Sequence, residues 1–211
     1  HYGWPGITRT NDGDILVSAS ERIVHVDPFG REVIVRSTDE GRTWTKPQVV
    51  FDSILDDRDA SLCTLNDGTT IQSWFTSCHQ MWSTAWVEEV SQEWNMRATK
   101  IGQDNIAALS RGWLRRSHNG GCTWEKQVYP TIVGQHAGPA VLSDGSLIYL
   151  GNVLQDDGSC IMSSTRSADG GKTWSIIGAV PCERKREKED APPRPIVNEN
   201  HVVEVEPGHL L

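Results

Sequence analysis

No stretch of this 211-residue chain approaches the roughly 20 consecutive apolar residues that a membrane-crossing helix requires, so no membrane span is expected. Basic charge is also in short supply: 20 Lys and Arg against 28 Asp and Glu leave a formal charge of −8. That balance argues against nucleic acid or an anionic membrane as the default partner, although a few arginines in one cleft can still hold an anionic substrate. The five cysteines (Cys63, Cys78, Cys122, Cys160, Cys182) are odd in number and none is spaced as CxxC. A zinc site therefore has little support, and no metal or cofactor is expected. Free thiols are the plain reading, with one or two disulfides left open. The chain starts at His1 with no positively charged, apolar leader in view, so it reads as processed or as a piece of something longer, and its compartment stays open. Phenylalanines number three, whereas tryptophans number nine, and that excess needs a cause.

Three of those tryptophans occupy one place in a repeat. Arg36-Ser37-Thr38-Asp39-Glu40-Gly41-Arg42-Thr43-Trp44 recurs as Arg116-Ser117-His118-Asn119-Gly120-Gly121-Cys122-Thr123-Trp124, and again as Arg166-Ser167-Ala168-Asp169-Gly170-Gly171-Lys172-Thr173-Trp174. The shared pattern is R-S-x-[DN]-x-G-x-T-W. In each copy the Asp or Asn can bond the backbone amides ahead of it, and the Gly supplies the positive φ of a tight turn. The Trp then packs back over the loop as an apolar plug. Asp39, Asn119 and Asp169 are thus expected to hold turns rather than to do chemistry.

A second repeat interleaves with the first. Asn11-Asp12-Gly13, Asn66-Asp67-Gly68 and Ser143-Asp144-Gly145 are polar hairpin turns that enter apolar strands, and Glu206-Pro207-Gly208 is a degenerate fourth. Each unit reads strand, inner turn, strand, loop, strand, nine-residue box, strand. Four antiparallel strands per unit of this size describe a propeller blade. The expected fold is all-β, with blades at about 1–52, 53–131 and 132–190 and the start of a fourth at 191–211, so that the chain holds about three and a half blades of a longer propeller. Residues 88–109 read as a long loop in the second blade, and residues 183–195 as a solvated loop between blades. An open propeller leaves a blade edge unpaired, which predicts poor solubility of this stretch alone.

The boxes and inner turns together resemble the sialidase (neuraminidase) superfamily, the Asp-box β-propeller proteins, whose members of this type have six blades. The resemblance spans essentially the whole chain and implies a glycan substrate. It also implies an arginine triad for the substrate carboxylate, an Asp acid/base, and a Tyr nucleophile assisted by a Glu. Gly3, in Tyr2-Gly3-Trp4-Pro5, stands where the first triad arginine falls in that family. Asp27, in the loop of residues 21–30, matches the family Asp, and Glu199 matches the family Glu. The remaining arginines and the Tyr would fall beyond Leu211.

In a propeller, loops at one mouth of the tunnel and the starts of the innermost strands line the site. That geometry selects Trp4, Arg22, His25, Asp27, Arg58, Asp59, His136 and Glu199. Asp27 is either an acid/base or the cap of the turn made with Pro28 and Gly30. Arg58, flanked by Asp57 and Asp59, either forms an intra-blade ion pair or aims at a substrate anion, with Arg22 as a second candidate. Trp4 stacks on a sugar ring or plugs the propeller. Three functions stay open: a sialidase-like exo-glycoside hydrolase using Asp27 and Glu199, a lyase of uronate-containing glycans using His25 and His136, and a non-catalytic glycan-binding propeller. The oligomeric state is not legible.

Overall fold

The computed structural model describes residues 1–78, 88–134, 137–186, 189, 191–196 and 199–211, with backbone alone at 88–91. Strands β1 (Tyr2–Arg9), β2 (Ile15–Glu21), β3 (Arg31–Ser37) and β4 (Gln48–Phe51) form one antiparallel sheet in chain order. Strands β5 (Asp56–Thr64), β6 (Thr70–Ser77), β7 (Gly112–Ser117) and β8 (Tyr129–Pro130) form a second. A third holds β9 (Ala140–Val141), β10 (Leu147–Leu154), β11 (Cys160–Ser167) and β12 (Ser175–Ala179). The sheets are not closed into a barrel; they stand side by side as the blades of a partial β-propeller.

The inner turns form because Gly13, Gly68 and Gly145 adopt φ of 93°, 86° and 83°, which a Cβ would oppose. Their amides return to the carbonyls of Thr10, Leu65 and Leu142, each at 2.9 Å. The nine-residue repeats close the outer strands. Asp39 Oδ1 accepts from the Ser37 hydroxyl and the Thr43 amide, both at 2.8 Å, and its Oδ2 accepts from the Thr43 hydroxyl at 2.6 Å. Asn119 and Asp169 repeat the arrangement. In the first and third repeats the leading arginine ties the repeat to its own inner turn: Arg36 pairs with Asp14 at 2.5 Å, and Arg166 with Asp144.

The tryptophans seal the seams between sheets. Trp124 packs on the buried Leu16, Ile34 and Leu62, and Trp174 on Leu65, Ile71, Leu114 and Leu147. Full burial of each such aliphatic side chain is worth about 1.5–3 kcal/mol. Gly121 and Gly171 sit so tightly on the preceding sheet that a Cβ would approach Leu16 to 2.7 Å and Leu114 to 2.6 Å. Trp44, in the first repeat, is 43% exposed. All five cysteines are free, and burial pushes the Cys63 thiol up to about 12.

Two segments correct the sequence reading. Residues 88–109 are not a loop but two helices, α1 (Glu88–Ile101) and α2 (Gln103–Leu109), inserted between β6 and β7. Trp94, Ala98 and Ile101 recur at helical spacing, and the face they form packs on Val26 and Leu55. Residues 183–195 are not simply a solvated loop, because β13 (Arg184–Lys185) and β14 (Arg194–Pro195) pair there as a short ribbon. The Cys160 amide donates to the Pro193 carbonyl (3.2 Å), which fixes that ribbon beside the third sheet. A last hairpin joins β15 (Glu204–Glu206) to β16 (His209–Leu210) through Gly208 at φ 78°.

Candidate active site

The first two sheets meet at the starts of their innermost strands, and the charged residues picked out in sequence converge there. The loop of residues 22–30 leaves β2 and wraps around one carboxylate. Asp27 is fully buried, and its oxygens accept the amides of Ile23, Val24 (3.3 Å) and Phe29 (2.9 Å). This is the geometry of a loop cap. The capped loop delivers Arg22 and His25 to the strand starts. Arg22 is buried; its Nη1 donates to the His25 carbonyl (2.8 Å), and its Nη2 donates to Asp56 Oδ1 (3.0 Å) and to the Asp57 carbonyl (3.1 Å). Gly30 makes room for that pair, since a Cβ there would lie 2.0 Å from Asp56 Oδ1.

Helix α1 supports the loop from behind. Arg97 donates to the carbonyls of Pro28 and Ile54 (2.9 Å for the latter), and its guanidinium lies 4.5 Å from the Phe29 ring centre. A cavity of about 720 Å³ opens between loop and helix, lined by Ile23, Phe29, Ile54, Met96 and Arg97. It touches Arg22 but none of Trp4, Arg58 and Asp59.

The start of β5 supplies the rest. Asp56 lies between two guanidiniums, 3.0 Å from Arg22 and 3.6 Å from Arg58, yet burial outweighs both and pushes its carboxyl up to about 7. Burial also pushes Asp57 up to about 6, against a 2.6 Å bond from the Thr76 hydroxyl and bonds from the Ser53 amide (2.6 Å) and hydroxyl (3.0 Å). Arg58 lies 3.8 Å from Asp59 and 5.6 Å from the Phe75 ring centre. The Trp4 ring gathers the cluster: Arg22 is 4.7 Å and Arg58 4.8 Å from its centre, and the His25 ring is 5.1 Å away.

So Trp4, Arg22, His25, Arg58 and Asp59 come together, with Asp27 organising the loop beneath. His25 is exposed and Trp4 half-buried, whereas Arg22, Arg58 and Asp59 are buried. Glu199 is exposed, with a left-handed backbone. His136 lies outside the described residues. Two residues absent from the sequence-based selection join the site from below. Glu32 is completely buried, held well above the ordinary carboxylate range by that burial, and accepts from the Ser20 hydroxyl (2.9 Å). The same hydroxyl accepts the Asp59 amide at 2.7 Å. Ser20 and Glu32 are register partners across β2 and β3, which is the signal that would have paired them.

No family model matches the chain, and no curated protein matches it in sequence. Solved structures do. The NanB sialidase of Streptococcus pneumoniae superposes on all of this chain and 47% of its own, with a TM-score of 0.66 and 13% identity. For the Hadza microbial sialidase Hz136 the values are 99%, 41%, 0.63 and 20%. For the Trypanosoma rangeli sialidase in complex with the inhibitor DANA they are 97%, 33%, 0.60 and 16%. The chain therefore has a sialidase-like β-propeller fold and spans less than half the length of these three neighbours. No described helix is long and apolar enough to cross a membrane.

Proposed function

We propose that this chain is part of a sialidase-like glycoside hydrolase acting on an anionic or complex glycan. The observation that carries the reading is the pair Arg22 and Arg58, held by Asp56 on a half-buried Trp4 at the strand starts of the first two sheets. A guanidinium beside an aromatic ring suits a sugar that carries an anion, because the ring takes the apolar face and Arg58 takes the charge. Arg22, with no exposed side-chain surface, braces Asp56 behind it. Arg58 then supplies charge where Gly3 leaves the family's first arginine unfilled.

In this reading Glu199 is the carboxylate that activates a nucleophile beyond residue 211. Asp27 matches the family acid/base by position, but its oxygens are engaged by three amides, so its contribution is to hold the loop that presents His25. Proton transfer falls to exposed groups, His25 and Glu199, which a substrate can reach. A second reading, β-elimination on a uronate, draws support from the placement of His25, 5.1 Å from Trp4 and beside both guanidiniums.

The test is mass spectrometry of products after the full-length protein meets sialosides and uronate-containing oligosaccharides. Products that have gained a water support hydrolysis. Unsaturated products overturn it in favour of elimination, and no product with retained glycan binding leaves a binding propeller.

A further inference from the structure

One cavity belongs to the propeller itself. Pro5, Gly6, Ala60, Ser61 and Val202 line about 530 Å³ that forms the central channel of the blades, with Trp4 and Asp59 at one end of it. The cavity of about 720 Å³ between the 22–30 loop and helix α1 shares no residue with that channel. Its volume falls within the range of small-molecule sites, roughly 300–1,000 Å³.

Local sequence builds both walls. On α1, Glu93, Met96, Arg97 and Lys100 recur at helical spacing and form a second stripe, beside the Trp94-Ala98-Ile101 stripe that packs on the core. In the loop, the Asp27 carboxylate gathers the amides of Ile23 and Phe29, whose side chains line the cavity while the His25 ring turns to Trp4. Ile23 is 69% and Met96 61% exposed, and the exposed Phe29 and Ile54 line the same space. Large apolar side chains left in water at one concave place mark a binding site rather than a scatter of surface residues.

The charged lining says what that site takes. Glu93 pairs with Arg97 at 2.5 Å, and Glu21 with Arg31 at 2.6 Å. Arg31 engages Glu21 through its Nε, and its side chain is 41% exposed, so among the described residues the Nη1–Nη2 edge of the guanidinium stays open. Such an edge can hold a carboxylate through two parallel N–H bonds. Lys100 and Asp52 are exposed and have no ion pair among the described residues. The Arg31 edge and Lys100, set against Asp52 alone, favour an anion.

We propose that this cavity binds a small organic carboxylate with an apolar body, without the help of Trp4, Arg58 or Asp59. The Arg31 edge takes the carboxylate, and Ile23, Phe29, Ile54 and Met96 cover the apolar part. The occupant bridges loop and helix, so it also fixes the loop that carries His25.

Calorimetric titration of the full-length protein with octanoate, 1-octanol and octyltrimethylammonium tests this, because the three share one chain and differ in head group. Octanoate binds at one site per chain, about tenfold more tightly than the other two, the size expected of one charge-assisted hydrogen-bonded head group. Its binding slows hydrogen exchange at the Ile23 and Phe29 amides. Arg31→Gln loses about tenfold for octanoate alone. Met96→Glu loses about tenfold for octanoate and octanol alike, because it places a charge against the apolar chain. Asp52→Asn gains about twofold for octanoate, the scale of an exposed charge. Both loss variants keep the wild-type Tm; if Arg31→Gln fails to fold, Lys100→Ala carries the head-group test with a loss of about twofold. Octanoate that binds no tighter than octanol, or binds both loss variants as it binds wild type, overturns the proposal. Self-association of the wild type that Met96→Glu abolishes, with no octanoate bound, also overturns it and gives the cavity to a second copy of this chain.

Discussion

The turns and the channel end of this molecule use the same side chain to opposite effect. Asp39 and Asp169 sit in the outer turns, where hydrogen-bond donors are aimed at water-accessible carboxylates. Asp39 is drawn down to about 2 by the hydroxyl and amide of Thr43. At Asp169 partial burial pulls upward but is outweighed by the amide and hydroxyl of Thr173, again leaving about 2. At the channel end burial dominates instead, pushing Asp56 to about 7, Asp57 to about 6 and Glu32 well above its ordinary value. The contrast teaches that donors alone do not decide a carboxylate's charge. Asp57 accepts three hydrogen bonds, as Asp39 does, and still rises because water is excluded. A fold built from repeated turn carboxylates can therefore keep a separate set of protonatable ones where the blades converge.

The sharpest way to break the comparison is Asp56→Ala. It removes the carboxylate partner of Arg22, a buried guanidinium with no exposed side-chain surface, and one of the two carboxylates beside Arg58 among the described residues. Removing one member of a buried ion pair costs about 3–5 kcal/mol. Urea unfolding of the full-length protein should show a loss of that order. A loss below about 1 kcal/mol, the range of exposed pairs, would mean that the cluster is open to water after all.

The pH dependence sharpens the same point. Asp56 has a folded value near 7 against an unfolded value of about 3.9, so the folded state binds the extra proton between them. Its contribution to stability is fully present below about pH 4 and is lost as pH rises through 7; Asp57 acts in the same sense up to about 6. The turn carboxylates act oppositely, stabilising above about pH 4 and losing that contribution as pH falls through 2. Thermal unfolding should therefore give a higher Tm at pH 5 than at pH 8. Asp56→Asn lacks the titration, so its deficit against wild type should narrow over that interval. A wild-type Tm that climbs from pH 5 to pH 8 would mean that the guanidiniums, not burial, control Asp56.

Why the turns were legible in sequence and the channel end only partly so follows from the range of the forces. Each nine-residue repeat bonds to itself within four residues, as Thr43 does to Asp39, so its chemistry can be read locally. The tryptophan excess found its cause the same way, in the seams that Trp124 and Trp174 seal. Arg22 and Asp56 meet across 34 residues, through two separate strand registers, and nothing in either neighbourhood announces the partner. Asp27 reads equally as cap or acid in sequence, because only the fold brings three amides to its oxygens. Helix α1 carried a signal, Trp94-Ala98-Ile101 at helical spacing, but its other residues are too polar for the pattern to stand out without Val26 and Leu55 opposite. Glu32 looked like one more strand residue, because only its pairing with Ser20 reveals that it faces the site.

The smallest effect belongs to the turns, and the molecule already holds its own control. In the second repeat Asn119 stands where the others have Asp. Its Oδ1 still accepts from the Ser117 hydroxyl (3.0 Å) and the Thr123 amide (2.8 Å), and its Nδ2 donates to the Thr123 hydroxyl at 2.8 Å. An amide can thus replace the carboxylate bond for bond once the threonine hydroxyl turns round to accept. Asp169→Asn should accordingly cost no more than a few tenths of a kcal/mol at pH 7 and should remove the low-pH loss assigned to this turn. Asp169→Ala leaves the Thr173 amide and the Ser167 hydroxyl without this acceptor and should cost about 1–2 kcal/mol, the range of a lost helix cap. Equal losses in the Asn and Ala variants, measured by urea unfolding at pH 7, would show that charge rather than hydrogen-bond geometry holds the turn. The division between turn and channel carboxylates would then rest on electrostatics in both places.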